Sequence, residues 1–561
     1  MPAIVRYADI PIGNAINVAL THASDYGPIN ITCPSDTIWL RKADALGTDE
    51  QAYLTKRAGH LATAWTAQTH RVGLPSPPRT PVVAMALSGG GYRAMLSGSG
   101  MAFAPPSTEE GNVGDILGLS TYVSGLSGGS WAVSSFYANN GTSPQDLVEN
   151  VWHLDDNLLA PGWSTGGFYD DLRNGTRQKA EAGFVTQITD LWALALTDHL
   201  FPEQWRSGKG YANLAWSDLK DNIQQLQEAT LPYPIVVALE REPDQPKDGM
   251  IATNSTIFEF TLSEFGSWRF AGFIVGTSAS VFNMGMVEVS AAKVNSLLET
   301  LKTIGKFVLS GIGKHNDDVA TYVNPFYGWD TEYDAIGTME TITLVDGGEA
   351  DENIPLEPFL QSARQVDAII AFDNTDNING WPTGKSLYVT YEKARNHSEM
   401  YGTPSKMPQV PSPAGFINQG LNSRPTFFGC NDTDLPTVIY IPNYPFTYQS
   451  NQETFKLSYS KQEALGMIEN GRRVLNLNGT ISRWPQCLTC ALMDNAVMER
   501  EGAKRSVECQ TCFDAFCWNG VDDQKEEEED AYNPTPILRV TKCSINPSSE
   551  VRRFPGFWFP G

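Results

Sequence analysis

The sequence predicts an α/β protein whose central sheet is covered by helices on both faces. Two observations carry this. Four short apolar runs, PVVAMALS at 81–88, TYVS at 121–124, TITLVDGG at 341–348 and VDAIIAFD at 366–373, have the length and near-continuous hydrophobicity of buried strands. Helical-looking stretches and glycine-rich turns stand between them, the alternation expected of layered α/β architecture. The 561 residues, 41% of them apolar and 11% aromatic, are ample for a large core and too rich in aromatics for a disordered chain.

The elements follow in order. Residues 1–32 read as an N-terminal extension without clear periodicity. From Cys33 to about Trp65 the chain reads as helical, with Thr48 or Asp49 as a cap for DEQAYLTKRAGHLATAW. VGLPSPPRTP at 72–81 is a Pro-rich connector that cannot be helix. The strand at 81–88 stops at three glycines, and the strand at 121–124 runs into GLSGGS and a helical WAVSSFYA. VNSLLETLKTIGKFVLSGIGK at 294–314 spaces Leu297, Leu298, Leu301, Ile304, Val308 and Ile312 as one apolar helix face, with Lys302, Lys306 and Lys314 beside it. Such a helix packs on the core or lies at a lipid interface. DDQKEEEED at 522–530 is a solvated acidic loop.

Charge and cysteine usage bound the class. Forty Lys and Arg against 64 Asp and Glu give a net charge of -24, which excludes a nucleic-acid-binding surface. It also suits work at low pH, where some carboxylates protonate. No apolar stretch is long enough to span a bilayer. Seven of the eight cysteines (Cys430, Cys487, Cys490, Cys509, Cys512, Cys517, Cys543) lie in the last quarter of the chain, and Cys33 is the eighth. With N-x-Ser/Thr sequons at Asn30, Asn140, Asn174, Asn254, Asn396, Asn431 and Asn478, they favour disulfides and a secreted glycoprotein. No charged segment followed by an apolar one opens the chain as a leader would. The spacing Cys487-x-x-Cys490 and Cys509-x-x-Cys512 equally fits a zinc ribbon, so two readings of these four residues stand.

Three segments carry chemistry. Gly125-Leu126-Ser127-Gly128-Gly129 is a G-x-S-x-G elbow between a strand and a helix, where glycines permit the tight turn that exposes a nucleophilic hydroxyl. A serine that only caps the helix would look the same. Ser88-Gly89-Gly90-Gly91-Tyr92-Arg93 leaves backbone N–H groups unobstructed at a second strand-to-helix junction, as an oxyanion hole or phosphate cradle requires. Arg93 adds a fork of donors suited to phosphate or carboxylate. For the base, His397 is the histidine that follows the acid in hydrolase order. Asp346, at the end of an apolar strand and before two glycines, is the alternative, provided burial raises its proton affinity.

SGGGYRAM, YVSGLSGGSW and LVDGGEADENIPLEPF together resemble the signature blocks of fungal lysophospholipases, also called phospholipases B. Similarity extends to CPSDTIWLRKA at 33–43, GTSASVFN at 276–283, FDNTDNINGWPTG at 372–384, TFFGC at 426–430 and CQTCFDAFCWNG at 509–520. The resemblance implies a central mixed β-sheet flanked by helices, like patatins and cytosolic phospholipases, with a helical cap. It implies one catalytic domain over 33–545, a Cys-rich part at 487–543 and a tail at 546–561. It further implies Ser127 as nucleophile, Asp346 as its base, Gly90 and Gly91 as oxyanion-hole residues and Arg93 at the substrate phosphate. The implied substrates are phospholipids or lysophospholipids in micelles or membranes, hydrolysed through an acyl-serine without metal or organic cofactor. An esterase or transacylase for other lipids, or an inactive lipid-binding relative, are the alternatives. The chain is shorter than the family layout near 101–120 and 268–272.

Overall fold

The computed structural model describes residues 40–106, 109, 111–161, 165–181, 183–201, 216–242, 251–269, 272–275, 319–329, 335–401, 406–498, 503–525 and 532–536. The expected amphipathic helix at 294–314, the GTSASVFN block and sequon Asn30 lie outside them.

Twelve strands form one sheet: β1 (Leu40–Lys42), β2 (Val83–Leu87), β3 (Tyr122–Gly125), β4 (Tyr233–Glu240), β5 (Ile257–Thr261), β6 (Glu264–Ser267), β7 (Gly272–Val275), β8 (Ala320–Val323), β9 (Thr341–Val345), β10 (Ala368–Asp373), β11 (Thr426–Phe428) and β12 (Thr437–Pro442). Its order is β1-β7-β6-β5-β4-β3-β2-β10-β12-β11, with β9 and β8 branching from β4. The middle five, β4-β3-β2-β10-β12, are parallel, and the flanking strands are antiparallel, so the sheet is mixed. Strands β2, β3, β10 and β12 are buried at every residue, the physical reason they read as unbroken apolar runs. Two groups of helices cover the sheet. Gly91–Ala102, Gly128–Ala138 and Lys461–Leu475 pack together, and Thr48–Val72 packs with Trp484–Met498 over β4, β10 and β12.

Between β2, β3 and β4 the chain steps one way across the sheet, and it resumes at β10 on the other side of β2. In open α/β sheets such a reversal leaves a crevice beyond the carboxyl ends of the strands. The loops after β2, β3 and β10 all leave at that edge.

The first helix departs from expectation. The helix begins at Thr48 and runs to Val72, and residues 40–42 form β1 instead. The reason is non-local: β1 pairs antiparallel with β7, Leu40 opposite Ile274, a partner more than 200 residues away. Gly47 holds the cap position without a side-chain cap, and Asp49 and Glu50 lie in the first turn. Strand β6 pairs antiparallel with β7, Ser267 opposite Gly272.

The cysteines resolve the two readings. Cys487 bonds Cys512 and Cys490 bonds Cys509, joining helices Trp484–Met498 and Val507–Phe516, and Cys430 bonds Cys517. Two-residue spacing puts each thiol pair about one turn apart on its helix, so the ribbon-like pattern becomes a doubly stapled helix pair. Replacing Cys487 and Cys512 together by serine is expected to destabilise the fold by about 3 kcal/mol, read as a lower urea midpoint.

Candidate active site

Three segments converge at the carboxyl edge of the sheet. The first is the turn after β3. Ser127 has φ 49° and ψ -124°, a left-handed conformation that non-glycine residues rarely adopt and that costs on the order of 1–3 kcal/mol. The turn is held by Gly129 N–H on Leu126 O at 2.8 Å, Trp131 N–H on Ser127 O at 3.0 Å and Ser130 Oγ on Ser127 O at 2.5 Å. Ser127 therefore sits at the N-terminus of helix Gly128–Ala138 with 6% of its surface exposed, where the helix dipole favours negative charge. Its hydroxyl makes no cap hydrogen bond to the helix, which argues against the bland capping role.

The second is the glycine loop after β2. Gly90 has φ 132°, accessible to glycine alone, and a Cβ on Gly128 would fall on the Gly91 carbonyl. The elbow and the loop thus meet backbone to backbone. Gly89 N–H is spent on Asn353 O at 2.9 Å and Ala94 N–H on Gly90 O at 3.3 Å. Among the described residues, the Gly90 and Gly91 amides have no hydrogen-bond acceptor.

The third is Asp346, brought in by the branch strand. On β4, Val236 pairs with Gly125 of β3, and Leu239 pairs with Val345 of β9. Because β5 occupies the other edge of β4, β9 extends the sheet just past the end of β3. Asp346 is consequently delivered beside Ser127. It is buried (2% exposed), and its Oδ1 accepts from Gly348 N–H at 2.8 Å. Burial pushes its pKa from 3.8 up to about 7, opposed by the Gly348 amide and the Ser127 hydroxyl. Oδ2 is buried without a fully formed hydrogen bond, leaving it open to the neighbouring Ser127 hydroxyl. Such contacts are commonly loose in a free enzyme. Among the described residues no histidine acts on this carboxylate. His397 lies on helix Lys385–Tyr401, where burial and Arg269 lower its pKa.

Arg93 lies against the glycine loop. It is fully buried, and it donates to Asn374 O at 3.0 Å, Gln452 O at 2.7 Å and Thr454 Oγ1 at 3.1 Å. Asp376 stands 3.6 Å away. A Cβ on Gly90 would strike its guanidinium, so the side chain underlies the glycine loop. The sequence reading missed the rest of this support. Ser88 Oγ accepts from Asn374 N–H at 2.7 Å, and Asp373 takes hydrogen bonds from Thr375 and from Tyr440 at 2.8 Å. The only signal was the strand VDAIIAFD ending in polar residues, since nothing local says which loop it meets.

Residues 83–271 and 269–523 match the lysophospholipase catalytic domain family. The chain belongs to that family. The two matched segments of this lysophospholipase-family chain meet at 269–271. It is 41% identical over 542 residues to a phospholipase B of Cryptococcus neoformans, covering 89% of this chain and 84% of that one. It is 36% identical over 573 residues to lysophospholipase 2 of Aspergillus fumigatus, covering 90% and 95%. The fold resembles human GIVD cytosolic phospholipase A2 with a TM-score of 0.60, at 16% identity over 83% of this chain and 69% of that one. A second structure of the human protein, with TM-score 0.56, holds methyl gamma-linolenyl fluorophosphonate and terbium chloride.

Proposed function

We propose that this lysophospholipase-family member hydrolyses fatty-acyl esters of lysophospholipids and related glycerophospholipids with a Ser127–Asp346 dyad. The observation that carries the reading is the burial of Asp346 against a strained Ser127, with two free glycine amides alongside. Ser127 Oγ attacks the ester carbonyl while Asp346 takes its proton. The Gly90 and Gly91 amides and the dipole of helix Gly128–Ala138 stabilise the resulting oxyanion. Collapse expels the glycerol oxygen, which takes the proton back from Asp346, and leaves acyl-Ser127. Water, deprotonated by Asp346, then releases the fatty acid and restores Ser127. Every proton is accounted for with one carboxylate, and the residues require no metal or organic cofactor for it.

Arg93 supports this site as a positioning residue. Its Nε and Nη1 are committed to the carbonyls of Asn374 and Gln452, which fixes the loops beneath Gly90, and its guanidinium lies against that glycine. Arg93→Lys keeps the charge but loses the fork. It is expected to lower kcat by about 10- to 100-fold with little change in KM, because the damage falls on the oxyanion hole. A rise in KM alone on phosphate-bearing substrates, absent on a simple ester, would restore the phosphate-binding role.

The three disulfides among the described residues fit an oxidising compartment. Asn140, Asn174, Asn254, Asn396 and Asn431 are exposed and Asn478 is half-buried, in keeping with a secreted, glycosylated enzyme that meets lipid peripherally. The direct test is labelling with a lipid fluorophosphonate followed by peptide mass analysis. An adduct on Ser127 that Ser127→Ala abolishes is the expected result. Folded protein that takes no label would favour an inactive lipid-binding relative.

A further inference from the structure

Asn353 is the polar side chain near the nucleophile that the mechanism above leaves unused. Its carboxamide oxygen and the Ser127 Cβ lie 2.8 Å and 2.9 Å from the same point, the position a Cβ on Gly89 would take. The two side chains are therefore neighbours across Gly89, next to the oxyanion-hole glycines. The Asn353 backbone is fixed on every side. Its carbonyl accepts from Gly89 N–H at 2.9 Å, Glu352 N–H returns to Gly347 O at 3.2 Å, and Pro355 O accepts from Ser124 Oγ of β3 at 2.7 Å. Glu352 is pinned in turn by Lys393 at 2.8 Å. The carboxamide itself is half-buried and makes no hydrogen bond to any described residue. A rigidly seated side chain with unspent donor and acceptor capacity, at the reacting serine, is placed for a ligand.

We propose that Asn353 holds the alcohol-type oxygen that trades places with Ser127, which rests on the hydrolase reading above. That oxygen is the glycerol leaving group in the first half-reaction and the incoming water in the second. Both occupy the same position opposite Ser127 Oγ, by microscopic reversibility. The oxyanion needs donors only, and the Gly90 and Gly91 amides supply them. A hydroxyl or water both donates and accepts, and a neutral carboxamide matches it without competing with Asp346 for its proton. In the second half-reaction the water oxygen bonds the acyl carbon as its proton passes to Asp346. The carbon–Oγ bond then breaks, and that proton goes to Ser127.

The test uses Asn353→Ala and Asn353→Ser in the full chain. On lysophosphatidylcholine, kcat is expected to fall about 10- to 100-fold with KM within about threefold. A p-nitrophenyl acyl ester separates the two oxygens, because p-nitrophenolate leaves without such help. Its acylation burst should persist while the steady-state phase after the burst slows by the same factor. If both phases persist and only the lysolipid rate falls, the glycerol oxygen alone is held, which still supports the assignment. Activity within twofold of wild type on both substrates overturns it. So does a loss of burst and steady state together, or a loss in both variants that tracks a lowered unfolding midpoint. Fluorophosphonate labelling of Ser127 should survive in both variants. Folded wild-type protein that takes no label would overturn the hydrolase reading itself.

Discussion

Ser127→Ala is expected to lower kcat on lysophosphatidylcholine by at least about 10⁴-fold while leaving the fold intact, measured as fatty acid released against unfolding by circular dichroism. The size follows from covalent catalysis: without Oγ there is no acyl-enzyme, and only the oxyanion donors and binding remain. Stability should hold or rise slightly, because the hydroxyl makes no cap hydrogen bond and the strain at φ 49° belongs to the backbone turn. Full retention of lysophospholipase activity in Ser127→Ala would sink the mechanism.

Asp346→Asn is expected to cost a comparable factor in kcat and to stabilise the protein above neutral pH. An unfolded Asp titrates near 3.8, and burial raises Asp346 to about 7 in the fold. Between those values the folded state binds the extra proton, so stability falls as pH rises through that window. Above it the full penalty is present, at most about 4 kcal/mol at 1.36 kcal/mol per unit. Asparagine keeps the shape and removes the charge. The variant should therefore gain several degrees in Tm at pH 8 and nothing at pH 4. In the wild-type enzyme, kcat/KM should rise with pH along a limb centred near 7 and not near 4, since only the ionised carboxylate accepts the Ser127 proton. An acid limb at 4 with equal Tm shifts at both pH values would refute the raised pKa. On this account the acidic surface does not set a low working pH, as its charge alone suggested.

The central strands were legible because parallel strands covered on both faces must be apolar throughout, and β2, β3 and β10 lie within two residues of the expected runs. The elbow was legible for a similar reason: a serine between glycines at a strand–helix junction is a local requirement of the turn. Residues 40–42 were misread as helix because only pairing with β7 makes them a strand. The cysteine spacing fitted both zinc and disulfides, since spacing along a helix does not say which sulfurs face one another. The arginine fork was legible from its type and position, but its three carbonyl and hydroxyl partners come from the loops after β10 and β12, which no local pattern names.

What the sequence determined alone was the chemistry available: a serine in a tight glycine-flanked turn, glycine amides without side chains to cover them, and a strand-end aspartate. What only the tertiary structure decided was their meeting. β9 pairs with β4 just beyond the end of β3, which buries the Asp346 carboxylate beside Ser127 and raises its proton affinity, as the proposed base requires. Arg93 meets the loop after β12, and Asn353 becomes a neighbour of Ser127, through contacts between residues far apart in the chain. Burial and pairing are properties of the assembled sheet, and no local pattern encodes them.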